Sequence, residues 1–344
     1  MYLRADKITV GGGAPGLVTA KPQNAHLWHF DNSLQSTQGL APVSGSATLV
    51  PDGGKFGGAV AVEEGTTNIL WVEWEQGSLN PSNGSPHATS SSIRTPLIAV
   101  SPSTTYTFSV QDNAYVIRAV YEYQTDGTYI QRTIQSDQVF SLTTTANTGQ
   151  IRATASRRDN KDLTPDAIEV FKPQAERKPF ATSFVDGTRA AGKLEYPQII
   201  WNHATGTFAA WVKTPTDVTT DRVLTLQWAS DETGADTRFG IRMNTTGRFV
   251  VSYGSANTLT TAGAYNDGQW HHVALTWVDG TADIHFYVDG ERVASASGPI
   301  SVRNPGGRYR GVIPIGHRGY TYNDQWWNGL IDELLTLPYA ATDA

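Results

Sequence analysis

Residues 267–293, DGQWHHVALTWVDGTADIHFYVDGERV, constrain the fold more than any other stretch of the chain. In an extended strand, successive side chains point to opposite faces. His271, Val273, Leu275 and Trp277 then share one face, and His272, Ala274 and Thr276 the other. After Asp279-Gly280 the alternation resumes, with Ile284, Phe286 and Val288 on one face and His285 and Tyr287 on the other. Asp279-Gly280 and Asp289-Gly290 are dipeptides that tolerate positive φ and favour tight hairpin turns. The stretch therefore predicts a three-stranded antiparallel meander with one buried face. A one-residue slip would turn Trp277 and Phe286 to solvent, so the register is well specified.

The rest of the chain keeps the same period. Residues 26–30 alternate and are followed by a turn at 31–33, a Gly/Ser/Pro-rich loop and short strands at 47–50 and 58–62. Between 68 and 182, Ser and Thr dominate, and strands are expected at 105–110, 115–123, 129–134, 138–142, 150–155 and 167–171. In 115–123, Tyr115, Ile117, Ala119, Tyr121 and Tyr123 share a face, opposite Arg118 and Glu122, and Asp126-Gly127 marks a hairpin. Beyond 182, strands are expected at 208–212, 223–228, 239–243, 249–253, 310–316 and 327–337. No helical period longer than a turn or two is present, which predicts an all-β chain.

Composition excludes several function classes. The 344 residues carry a net charge of -6 and only 17% charged residues, with Arg157-Arg158 and Arg308/Arg310 as the tight basic clusters. Nucleic-acid binding needs a concentrated basic surface, which is lacking. There are no cysteines, so disulfides and thiolate metal sites are excluded. The N-terminus MYLRADKITV has no signal-peptide pattern, and no stretch is apolar enough for membrane insertion. Residues 1–23, with GGGAPG, read as an arm; a phosphate-cradling loop would need a strand-to-helix context and a lysine that do not follow.

Several motifs carry a resemblance. GTFAAWVK, DGQWHHVALTW, FYVDGERV, IPIGHRG and NGLIDELLTLPYAAT occur in order and resemble the laminin-G-like, concanavalin A-type jelly roll. The closing strand of that family matches Gly329, Leu330, Ile331, Asp332 and Glu333, and its short final helix matches Tyr339 to Thr342. LWHFDNSL and GGKFGGAVAVEEG resemble the opening of the same domain. The jelly roll is then discontinuous, built from 24–65 plus 183–344, with 66–182 inserted. The inserted segment, through TTNIL and QAERKPFATSFVDGTRA, resembles carbohydrate-binding-type modules of bacteriophage tail, appendage or decoration proteins. The expected fold is all-β: two β-sandwich jelly rolls, one inserted into the other.

The concanavalin-like fold also hosts glucanases, whose retaining members place paired carboxylates along one strand about 5 Å apart. No Glu-x-Asp-x-x-Glu pattern occurs; Asp332 and Glu333 point to opposite faces, and Glu63-Glu64, Glu73 and Glu75 lack a facing acid. A non-enzyme is therefore expected. His271 and His272, as strand neighbours, cannot chelate one ion together, and His271 is expected to be a satisfied core residue. No cofactor is required; calcium is the one candidate metal, with Asp166, Asp231 and Asp236 as candidate ligands beside Glu232. Aromatic rings stack on sugar C–H faces. The candidate glycan platforms are Trp326, Trp327, Tyr320, Tyr322 and Asn323 in one loop, and Trp71 and Trp74 in another. The same tryptophans could equally cap the sandwich cores.

These readings, with the resemblance, imply a bacteriophage virion protein whose lectin-like domains bind glycan or stabilise the particle. Its expected partners are other virion proteins, further copies of itself and host cell-surface polysaccharide, without nucleic acid or membrane insertion. The competing reading is a polysaccharide-degrading enzyme or a secreted carbohydrate-binding module.

Overall fold

The computed structural model describes residues 25–179, 181–202, 204–214, 218–230, 236–254, 257–278, 283–297, 312–318 and 325–341. The arm at 1–23 and the Asp279-Gly280 turn lie outside them. Strands dominate, as expected for an all-β chain. The helical segments among the described residues are single turns at Pro165–Ala167, Ile168–Phe171 and Gln198–Ile200.

The chain divides into two compact units, one of Met1–Glu64 with Ala191–Ala344 and the other of Gly65–Ala190. In the first unit, one large sheet runs in the order Glu291–Ala296, Asp283–Val288, Trp270–Val278, Thr205–Lys213, Leu330–Leu337, Ala59–Ala61 and Thr48–Val50. His26–Trp28 pairs with Leu330–Leu337 as well. The facing layer has a four-stranded sheet (Arg222–Ser230, Asp236–Met243, Phe249–Gly254, Thr258–Thr260) and a three-stranded one (Ser44–Gly45, Leu194–Pro197, Val312–Pro314). Between the layers lies one apolar core, to which both contribute alternate residues.

The meander at 267–293 occupies one side of the large sheet. Leu275 faces Phe286 and Trp277 faces Ile284 across the strand pair, and Asp289 and Gly290 both take positive φ. The inward row packs against Trp201, whose ring stacks on Trp277 with centroids 4.8 Å apart, while Phe239 meets Trp277 edge-on. On the outer face, Ala274 and Tyr287 join Ala209, Leu335 and Leu337 in a second, smaller apolar cluster. The Leu330–Leu337 strand carries a bulge against Ala209 and Trp211, and Glu333 at that bulge adopts a left-handed φ of 49°.

The second unit pairs a six-stranded sheet with a three-stranded one. The first contains Tyr129–Ile134, Tyr115–Tyr123, Gln150–Arg157, Ser92–Arg94 and Glu75–Gln76 in that order, with Ile98–Ala99 also on Gln150–Arg157. The second is Val139–Thr143, Thr105–Ser109 and Gln174–Glu176. Thr66–Thr67 pairs with Thr188–Arg189, so the inserted unit closes beyond residue 182. Its two fully buried carboxylates serve as latches. Glu122 accepts from Gln131 Nε2, Thr145 N and Thr148 Oγ1; Glu176 accepts from Gln174 Nε2, Thr182 N and Thr182 Oγ1. The QAE…ATS motif thus has a packing role, tying the exit segment to the sheet.

Two local expectations are corrected here. Residues 167–171 form a helical turn rather than a strand, because Pro165 and Asp166 start a 3-10 turn and Lys172 ends the segment in a left-handed conformation. In Tyr115–Tyr123 a register shift around Arg118 divides the aromatic row. Tyr115, Ile117 and Val120 enter the core, whereas Ala119, Tyr121 and Tyr123 form a separate cluster with Leu79 on the other face.

Gly192 N donates to Glu63 O at 2.8 Å, so the flanks of the inserted unit adjoin. Joining Glu64 directly to Ala191 is expected to leave a soluble protein that melts cooperatively, whereas residues 191–344 alone are expected to aggregate. The fragment lacks the strands that pair with one edge of Leu330–Leu337; size-exclusion chromatography and thermal melting compare the two. Within the full chain, Trp277→Ala is expected to lower stability by about 3–5 kcal/mol in urea titration, because it empties a fully enclosed site.

Candidate functional site

The loop between the Thr48–Val50 and Ala59–Ala61 strands is clamped at two points. Lys55 N and Phe56 N donate to Asp332 Oδ2 at 2.8 and 3.2 Å, and Gly58 N donates to Asp31 Oδ1 at 2.7 Å. A Cβ on Gly54 would lie 2.1 Å from Gly58 O and 2.7 Å from Asp332 Oδ2, so the glycine is required by close approach. The clamp presents Phe56, 53% exposed, edge-on to Trp211 with ring centroids 5.7 Å apart. Lys55 Nζ stands 4.8 Å from the Trp211 ring centroid, a cation–π distance. Trp211 is there because Phe208, Ala210 and Val212 of its strand face the core, which turns Trp211 outward. Its cross-strand neighbours are His272 on one side and Asp332 on the other.

Burial raises the Asp332 carboxyl to about 6, against the pull of the backbone donors. Its Oδ1 accepts from Glu333 N at 2.7 Å, so both oxygens are held by backbone N–H groups. Glu333 bonds His29 Nδ1 at 2.6 Å. The residue across the strand from Asp332 is Trp211, not a second carboxylate. The arrangement is a latch that fixes the aromatic loop.

His271 and His272 fall on opposite faces of their strand, as expected. His272 is buried on the outer face beside Trp211, with ring centroids 5.3 Å apart, and burial lowers its pKa to about 4. His271 sits at the rim, with Nδ1 2.7 Å from Asp289 Oδ2 and Nε2 3.0 Å from Asp267 Oδ1. The reason is the turn: Asp289 reaches back to bond both the His271 ring and His272 N.

Of the residues singled out by sequence as glycan platforms, Trp74, Trp326 and Trp327 are buried and present no free ring face. Trp326 Nε1 donates to Gly192 O and Trp74 Nε1 to Leu70 O, while Trp327 stacks on Phe249. These three correct the expectation in favour of core packing. Trp71 is half-buried and meets Phe184 edge-on. Tyr320, Tyr322, Asn323, Asp231 and Glu232 lie outside the described residues, as does the Asp236 side chain. Asp166 is exposed in its 3-10 turn, and no group of three or more His, Asp or Glu that could hold a metal occurs among the described residues. Phe56 and Trp211 escaped notice because GGKFGG and FAAWVK read as framework. The signal was available in Trp211, an aromatic on the outward phase of a core strand.

Burial opposes charge on His271, but hydrogen bonds and attraction from Asp289 and Asp267 outweigh it and raise the pKa above the ordinary 6.5. A raised folded value means stability that is fully present below 6.5 and lost as pH rises through the folded pKa. Urea midpoints are expected to fall across that window in the parent chain, and to fall less in His271→Gln.

Residues 186–344 match the model of the Concanavalin A-like lectin/glucanases superfamily. No curated protein matches the chain in sequence. Among solved structures, a Trypanosoma rangeli sialidase is similar at 18% identity and a TM-score of 0.36, over 44% of this chain and 24% of the sialidase. Domain 4 of AbnA, an extracellular arabinanase of Geobacillus stearothermophilus solved with arabinotriose, is similar at 19% identity and a TM-score of 0.33, over 44% of this chain and 69% of that one. The sialidase CBM40 of Ruminococcus gnavus, bound to alpha2,3 sialyllactose, is similar at 17% identity and a TM-score of 0.32, over 41% and 79% of the two chains. The chain thus spans about a quarter of the sialidase's length. The strand order and the family match together give residues 186–344 a concanavalin A-like, lectin-type β-sandwich.

Proposed function

We propose that this chain is a non-enzymatic virion structural protein of a bacteriophage, a tail-fibre, appendage or capsid-decoration component that binds cell-surface glycan through its lectin-type unit. The observation that carries the glycan reading is the clamped Phe56, held out beside Trp211 and Lys55 on a lectin-type sheet. Aromatic rings of this kind cover the apolar C–H faces of pyranoses, and an adjacent ammonium donates to sugar hydroxyls. The virion assignment is supported by the resemblance of the inserted segment to phage carbohydrate-binding-type modules. Each contact is weak, and display of many copies on a symmetric particle turns weak sites into firm attachment. The partners are then other virion proteins and further copies of this chain. Binding requires no cofactor, and chelation of calcium is expected to leave it intact.

A glycan array and host cell-wall pull-down test the reading. Binding without sugar release is expected, with affinity falling roughly three- to tenfold in Phe56→Ala. Release of sugar from β-glucan or cell wall at catalytic rates would overturn the non-enzymatic assignment.

A further inference from the structure

The register shift at Arg118 leaves a second polar-aromatic surface on the inserted unit, one that the glycan reading above does not use. With Ile151, Ala153 and Ala155 in the core, Gln150, Arg152 and Thr154 turn to the outer face of the six-stranded sheet. Arg132 and Arg152 are the direct cross-strand partners of Tyr121, one from each side, so two guanidinium side chains flank one ring. One step along the strand, Tyr123 pairs with Tyr129 and with Gln150 in the same way. Tyr129 meets Tyr123 with centroids 5.9 Å apart and remains half-buried at the sheet edge.

The tyrosine hydroxyls are fixed by an overlying segment: Tyr121 donates to Leu79 O at 3.0 Å and Tyr123 to Gly84 O at 2.7 Å. The rings are therefore rigid, and burial pushes Tyr123 up to about 12, against the pull of the Arg152 guanidinium beside it. Neither Arg132 nor Arg152 has an ion-pair partner among the described residues. The carboxylates on neighbouring strands are committed elsewhere, Glu75 to Arg94 and Glu122 to Gln131 and Thr145. Arg152 Nε and Gln150 Oε1 are shielded from solvent and lack a hydrogen-bond partner. An unsatisfied donor and acceptor beside two unneutralised guanidiniums is an arrangement that gains from an incoming anion with hydroxyl groups.

We propose that the outer face formed by Arg132, Arg152, Tyr129 and Gln150 is a subsite for a carboxylate-bearing sugar, such as a uronic acid residue of an acidic polysaccharide. The carboxylate pairs with the two guanidiniums, the ring C–H face lies on Tyr129, and a hydroxyl donates to Gln150 Oε1. Charge complementarity selects the occupant: the chain as a whole is at -6, yet on this face Arg132 and Arg152 have no ion-pair partner among the described residues, and the acid that shares the face, Glu75, is held by Arg94. The proposal rests on the broader glycan reading and adds a second site with a defined sugar class.

The test uses the full chain with a galacturonate hexamer and a hyaluronan hexamer, each compared with its carboxyl-reduced counterpart by calorimetry at low and high ionic strength. The acidic forms are expected to bind at least roughly tenfold more tightly, with the advantage shrinking as salt rises. Arg132→Gln, an exposed position, and the pair Arg132→Gln with Arg152→Gln should remove that advantage, and thermal melting checks that both variants fold. Equal binding of acidic and reduced forms, binding of neither while array glycans bind, or an advantage that survives the double variant would each overturn this site and leave the broader reading standing. A blank across the whole array and both hexamers would overturn both.

Discussion

The large sheet of the first unit depends on where its last strand goes. Leu330–Leu337 does not sit at an edge: it pairs with Thr205–Lys213 on one side and with His26–Trp28 and Ala59–Ala61 on the other. The sheet is thus completed only when residues about three hundred positions apart meet. Loop closure of that span must precede the favourable contacts, which makes such topologies slow to form. The apolar face of the meander at 267–293 can be written locally, but it has nothing to bury against until this closure is made.

A second regularity is the use of carboxylates. Only 17% of the residues are charged, and several of the acids serve as fasteners on backbone N–H groups rather than as surface solvation. Asp332 and Asp31 fix the aromatic loop, Asp289 fixes the start of the meander, and Glu122 and Glu176 hold segments of the inserted unit. Glu122, Glu176 and Asp332 are buried, which is tolerated because their oxygens are supplied with donors, and all five carboxylates receive at least one main-chain donor. The result is loops of fixed shape on a small complement of charge.

The meander was legible because its period of two and its Asp-Gly turn agree: Asp289 and Gly290 take the positive φ that the dipeptide suggests. The bulges were not. Nothing in YVIRAVYEY marks Arg118 as the point where the phase shifts, yet that one residue sends Tyr121 and Tyr123 to the face opposite Tyr115 and Ile117. The turn at 165–171 carried its own signal in Pro165 and Asp166, which the β-branched residues after it obscured. Trp326 and Trp327 sit in a polar-looking stretch, and their burial depends on packing against residues far away in sequence, such as Gly192 and Phe249. The exposed Phe56 was hidden for the converse reason: its motif is read as framework, and only the loop clamp shows which way the ring points.

The hydrogen bond from Gly192 N to Glu63 O has a mechanical meaning. The chain enters and leaves the inserted unit at adjoining points, so tension applied between the two ends of the polypeptide passes through the clasp without stretching residues 65–190. The first strand to feel it is His26–Trp28, which lies antiparallel to the closing strand and would peel from it one bond at a time. Under such tension the pairing of His26–Trp28 would yield before residues 65–190 are loaded.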